Sequence, residues 1–123
     1  MNFAHLLAAV IAAATFAVHI FVGGVFVARP LLMSGALPPA AKWLSYYCWH
    51  VTTILLAAMA GVYAAAAFGA MSADAAVLMT VLAASFSVLC VAVALKGRVR
   101  PWRFPASYLF ALVAAAGIWG LLG

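Results

Sequence analysis

An all-α, polytopic integral membrane four-helix bundle is the fold class the sequence predicts, and three observations predict it. The 123 residues are 72% hydrophobic and 6% charged, far below the roughly 25% charged content with which soluble domains cover their surface. The apolar residues fall in four runs, about 6–27, 44–68, 75–95 and 106–121, each near the roughly 20 residues that cross a bilayer as a helix. The six basic residues, Arg29, Lys42, Lys96, Arg98, Arg100 and Arg103, all border these runs at the first and third connections. Drawn as four crossings, the chain then carries every cation on one side, which the positive-inside pattern makes cytoplasmic, and both termini on the non-cytoplasmic side. The reading is a single transmembrane domain, 1–123, in a bacterial-type inner membrane, with no module outside the bilayer.

The formal charge of +5 is explained by this topology and by anionic lipid headgroups, so no nucleic-acid partner is implied. The apolar start of the chain lacks the basic n-region of a secretion signal and runs on to Val27, longer than a signal's apolar core, so it is read as the first span. Cys48 and Cys90 both fall inside spans and do not suggest a disulfide scaffold.

The first span is closed by Arg29-Pro30, where the charge meets headgroups and proline resists continuation of the helix. His5 stands at its outer end and His19 inside it. Thr15, His19, Gly23 and Phe26 recur at intervals of three or four and share a helical face. Residues 31–42 form the first connection, in which Ser34-Gly35 and Pro38-Pro39 oppose a helix through the whole segment, while Leu31, Leu32, Met33 and Leu37 hold it to the interface or beneath the bundle.

The second span opens on Trp43, Tyr46, Tyr47, Cys48, Trp49 and His50, aromatic residues with polar handles of the kind that sit where a helix enters the bilayer. Tyr46 or Tyr47, His50, Thr53 and Ala57 line one face, which gives way to Ala60, Gly61 and Ala64, small residues that permit close helix approach. In the outer turn Ser72 or Asp74 can cap the third helix. The third span carries Thr80, Ser85, Ser87 and Cys90, hydroxyls and a thiol that helices in lipid accommodate on their own carbonyls or in packing. Pro105 suits the first turn of the fourth helix, Tyr108 is placed to hydrogen-bond across the bundle, and Trp119 belongs to the outer aromatic belt.

For chemistry the leading pair is His19 and His50, which lie roughly 15 and 12 Å below Arg29 and Lys42 at 1.5 Å per residue and so at comparable depth on neighbouring helices. Facing imidazoles of this kind can hold haem iron, copper or zinc, or contact a quinone headgroup. Gly23 and Gly24 would leave room for a planar cofactor, with Tyr46, Tyr47 and Trp49 at its edge, while Cys48 and Cys90 could join a softer copper or zinc site. Against this stands structural use of the same residues: Cys48 and His50 point about 200° apart on an ideal helix. There is no CxxCH, HExxH, paired carboxylate or phosphate-binding glycine loop, hence no autonomous catalytic motif.

The leading functional reading is therefore a structural or accessory subunit of a membrane complex, with membrane lipids and either further copies of itself or other subunits as partners. The alternatives are a haem- or metal-binding redox protein using His19 and His50, and a small transporter in which one of these histidines carries the proton. Residues 19–30, a histidine followed by a glycine pair and a basic-proline boundary, resemble the opening of bacterial copper-resistance membrane domains and of four-helix haem-biosynthesis membrane proteins. The resemblance does not run through Tyr46 to His50, and it implies no ligand or activity for any residue.

Overall fold

The backbone of a chain in lipid must satisfy its own hydrogen bonds, and here 85 of the 98 backbone–backbone bonds lie within helices. The computed structural model describes residues 1–123 and is all-α, with four helices long and apolar enough to cross a membrane: α1 (Phe3–Met33), α2 (Pro39–Ala67), α3 (Ala73–Lys96) and α4 (Pro105–Leu122). A short 3₁₀ turn, Pro101–Arg103, precedes α4. Helix α1 packs against both α2 and α4, and α4 packs against α3, whereas the α2–α3 seam is much the looser. Both chain ends lie beside the α2–α3 turn, since the Asn2 amide N–H donates to the Ala67 carbonyl and its Nδ2 donates to the Gly120 carbonyl, each at 2.8 Å. The basic connections lie at the other end.

The core is built from large side chains on α2 set into small ones on the other helices. Leu56, Met59 and Tyr63 are fully enclosed against Ala8, Ala9 and Ala12 of α1, Ala76 and Ala83 of α3, and Val113, Ala114 and Ala116 of α4. Alanines and glycines let backbones approach closely, which in lipid is what holds helices together, because bilayer and core are equally apolar. Only 22 of the 123 residues are buried, and Phe21, Phe26, Leu44, Ile54 and Val88 stand on the outside. That surface suits hydrocarbon.

Helix α1 departs from the expected span in three ways. It is capped by Asn2, whose Oδ1 accepts from the His5 N–H at 3.0 Å, and Val18–Ala28 widens into a π-helix, so that the Arg29 N–H reaches the Gly24 carbonyl five residues back. The helix does not close at Arg29-Pro30 but continues to Met33. An α-helical Pro30 would press on the carbonyl of Phe26; the π segment ends just before it, and proline then occupies the first turn of a new α segment, where no donor is needed. Consequently the first connection shrinks to 34–38, with the Ser34 Oγ accepting from the Ala36 N–H at 3.3 Å, and α2 already begins at Pro39.

The other turns are decided by single residues. Gly69 at φ +74 lets α2 end with the Ala70 N–H on the Ala65 carbonyl (2.9 Å) and the Gly69 N–H on Ala66 (3.1 Å), the paired bonds of a left-handed helix stop. Arg98 does the same after α3 at φ 55, with Val99 bonded to Ala94 and Arg98 to Leu95; a non-glycine there carries roughly 1–2 kcal/mol of strain. Ser72 occupies the N-cap position of α3 in extended backbone but its side chain makes no capping bond, which leaves the first-turn Asp74 as the favourable charge at that end. Tyr108 faces outward and half exposed instead of bonding across the bundle. That role belongs to Tyr63, whose hydroxyl donates to Thr80 Oγ1 at 2.8 Å, since the Thr80 proton is committed to the Ala76 carbonyl.

Candidate functional site

The seam between α1 and α2, at the end of the bundle near the basic connections, gathers most of the polar aromatic chemistry. His19 lies flat on Trp49, with ring centroids 3.8 Å apart and planes 18° apart. Its Nε2 is 3.2 Å from the Trp49 carbonyl, and a carbonyl only accepts, so Nε2 carries the proton. The same carbonyl also takes the Thr53 hydroxyl at 3.2 Å. Gly23 makes the stack possible: a Cβ there would collide with the Trp49 indole. The room that Gly23 was expected to leave for a cofactor is filled by tryptophan.

Three cavities surround this seam. Thr15, His19, Gly23 and Phe26, the face read from the sequence, line a cavity of about 160 Å³, open on the side of the exposed Phe26, together with Thr52 of α2 and Phe110 of α4. His50 faces a different one, a shallow lateral recess of about 320 Å³ that includes Gly24, Arg29, Tyr46 and Trp49. There the Tyr46 ring meets the imidazole edge-on at 4.6 Å and 83°. Tyr47, Cys48 and Cys90 line the third, a groove of about 690 Å³ along the loose α2–α3 seam, walled by Phe86 and Phe104. Both thiols are free.

The predicted residues are thus distributed over three places. Cys48 and Cys90 share one groove; His19 and His50 line separate cavities, of which only the second includes Trp49. No three of the chain's histidine, cysteine and acidic side chains come together. Of the predicted α2 face, Tyr46 and not Tyr47 sides with His50, and Ala60 and Ala64 pack against the core while Gly61 faces outward with no neighbour within 4 Å.

Sequence reasoning missed a second polar cluster at the far end of the bundle. His5 is 6% exposed, its Nε2 has no hydrogen-bond partner, and its ring centroid lies 6.0 Å from that of Tyr63. Gly117 and Gly120 make space for it: a Cβ on Gly117 would strike Tyr63 and Thr80, and one on Gly120 would strike the His5 ring. The spacing of these two glycines, three residues apart on one face of α4, was the available signal.

In comparison with known proteins, no family model, no curated protein and no solved structure matches this chain.

Proposed function

We propose that the chain is a subunit of a membrane assembly, whose outer α2 face is covered by a further transmembrane helix from a second copy or from another protein. The observation that supports this most directly is His50, which is exposed on the outside of the bundle roughly two turns further along α2 than Lys42, in an open recess that it shares with Arg29 and Tyr46. It makes no hydrogen bond within the chain. An imidazole facing hydrocarbon is costly, and polar groups within a span pair with another helix or a wet cavity. His50, Ile54, Ala57 and Gly61 are all exposed and follow one another at intervals of three or four, so one outward stripe joins the imidazole to a small-residue track.

The test is the mass of the gently solubilised native protein. It exceeds the 12.8 kDa of one chain by at least one further membrane chain, and Gly61→Phe, whose Cβ meets nothing within 4 Å in the chain itself, reduces it to the monomer. A native protein that is already monomeric, or a Gly61→Phe protein of unchanged mass, sinks the reading. Identical added subunits mean a homo-oligomer; different ones mean an accessory role.

The orientation is part of the same reading: the basic end faces the cytoplasm and both termini the other side, supported by the placement of all six cations. Cysteines placed singly at 35, 72 and 98, in a background without Cys48 and Cys90, should react with an impermeant reagent in intact cells only at 72. Reaction at 35 and 98 alone inverts the topology. Haem or copper at His19 and His50 has less support, since the two imidazoles line different cavities; a chelator-resistant metal or haem in the purified assembly would revive it.

A further inference from the structure

The cavity beside His19 is walled mostly by apolar atoms, and the polar side chains on its lining, His19, Thr15 and Thr52, are alike in one respect. His19 uses its proton on the Trp49 carbonyl, so its other ring nitrogen, Nδ1, holds a lone pair and has no partner in the chain. Thr15 donates to the Ile11 carbonyl at 2.7 Å and Thr52 to the Cys48 carbonyl at 3.2 Å. With their hydroxyl protons spent on their own helices, both threonines offer oxygen lone pairs. Three groups on the lining can therefore accept hydrogen bonds, and none has a proton left to give. The complement of such a lining is a molecule that donates.

Size and approach narrow the molecule further. A volume of about 160 Å³ is close to that of an engineered ~150 Å³ cavity that takes up benzene, and the remaining wall includes the aromatic rings of Phe26 and Phe110. The cavity is also not isolated, because Thr52, Ala106 and Phe110 line both it and the apolar α2–α3 groove. The groove is about four times larger, almost wholly hydrophobic, and lies along the loosest seam of the bundle, so an apolar chain has room directly beyond the Thr52, Ala106 and Phe110 wall of the cavity.

We propose that this pair of cavities binds a hydroquinone-type amphiphile, with the hydroxylated ring beside His19, Thr15 and Thr52 and the apolar tail in the groove between α2 and α3. The π segment of α1 serves the site by carrying His19 at its start and Gly23 within it, a placement in keeping with the frequent occurrence of π-helical turns at functional sites. An anionic head would meet only lone pairs here and is disfavoured. The proposal stands apart from the assembly reading, which concerns the outer face of α2.

The experiment uses the full chain with Trp43, Trp102 and Trp119 changed to Phe, so that the indole stacked on His19 is the sole tryptophan reporter. Under reducing conditions in micelles it is titrated with decylhydroquinone and with the dimethyl ether of that compound, which has the same ring and tail but no donor. The hydroquinone binds at least tenfold more tightly, and Thr15→Val and His19→Phe, which keep the shape and the aromatic stack respectively, each bring the ratio of the two affinities towards one. Cys90→Phe, which fills the groove without adding a second indole, weakens decylhydroquinone several-fold and leaves methylhydroquinone unchanged. Equal binding of hydroquinone and ether, no binding of either, or a ratio indifferent to Thr15→Val overturns the proposal, and each of these results can occur whatever the mass of the assembly.

Discussion

Replacing Gly117 by valine should destabilise the protein by about 3 kcal/mol, at the upper end of what overpacking costs. A side chain at 117 enters a place already taken by Tyr63 and Thr80, one from α2 and one from α3, so α4 cannot yield without moving away from two helices at once. The intrusion also parts the Tyr63–Thr80 hydrogen bond, worth roughly 0.6 kcal/mol on average inside membranes. Unfolding of the purified protein by a denaturing detergent, followed by helix content, measures the loss. The matched control is Gly24→Ala, which lies on α1 and off the outward α2 stripe: no atom lies within 4 Å of its added methyl, and replacing a mid-helix glycine by alanine is worth about 0.5–1 kcal/mol in favour of the helix. Equal stability of the two variants would mean that Gly117 does not form the close contact described.

The second large effect is expected at Tyr63. In water-soluble cores, truncating a buried aromatic residue to alanine costs about 3–5 kcal/mol, partly transfer from water and partly the cavity left behind. The transfer part largely vanishes in a bilayer, whose chains are as apolar as the core, so Tyr63→Ala should cost about 2–3 kcal/mol, mostly as lost packing. Tyr63→Phe should cost less than about 1 kcal/mol, because Thr80 keeps its bond to the Ala76 carbonyl and no donor is stranded. The same unfolding assay separates these outcomes, and a phenylalanine variant as damaged as the alanine one would show that the hydrogen bond, not the ring, carries the contribution. Tyr63→Phe should also recover part of the Gly117→Val loss, since the phenolic oxygen is among the atoms that valine meets; residues in contact are not additive.

How much of this was legible beforehand differs from residue to residue. Thr15, His19, Gly23 and Phe26 were placed on one face by spacing alone, and one cavity receives all four. Cys48 and Cys90, named together as candidates for a softer site, line one groove. Counting could not say that Trp49 would occupy the space beside Gly23, because that depends on the rotation of α2 about its axis. Nor did it single out Tyr63, which looks like any aromatic residue in an apolar run until Thr80 from α3 and Gly117 from α4 are brought to it.

The chain by itself determined the elements: four apolar runs long enough to cross a bilayer, cations at one pair of connections, and turns marked by Gly69, Pro38-Pro39 and Pro101 but not by Pro30. Only the tertiary structure decided which way each helix faces, that α1 widens between Val18 and Ala28 and passes through Pro30, and that His19 turns inward while His50 turns out. The physical reason is the solvent. In water a helix announces its buried face by the contrast between apolar and polar sides, but in hydrocarbon both sides are apolar, and helices are oriented by the fit of small residues to large ones and by a few hydrogen bonds between neighbours. Those quantities belong to pairs of helices, and no single stretch of sequence contains them.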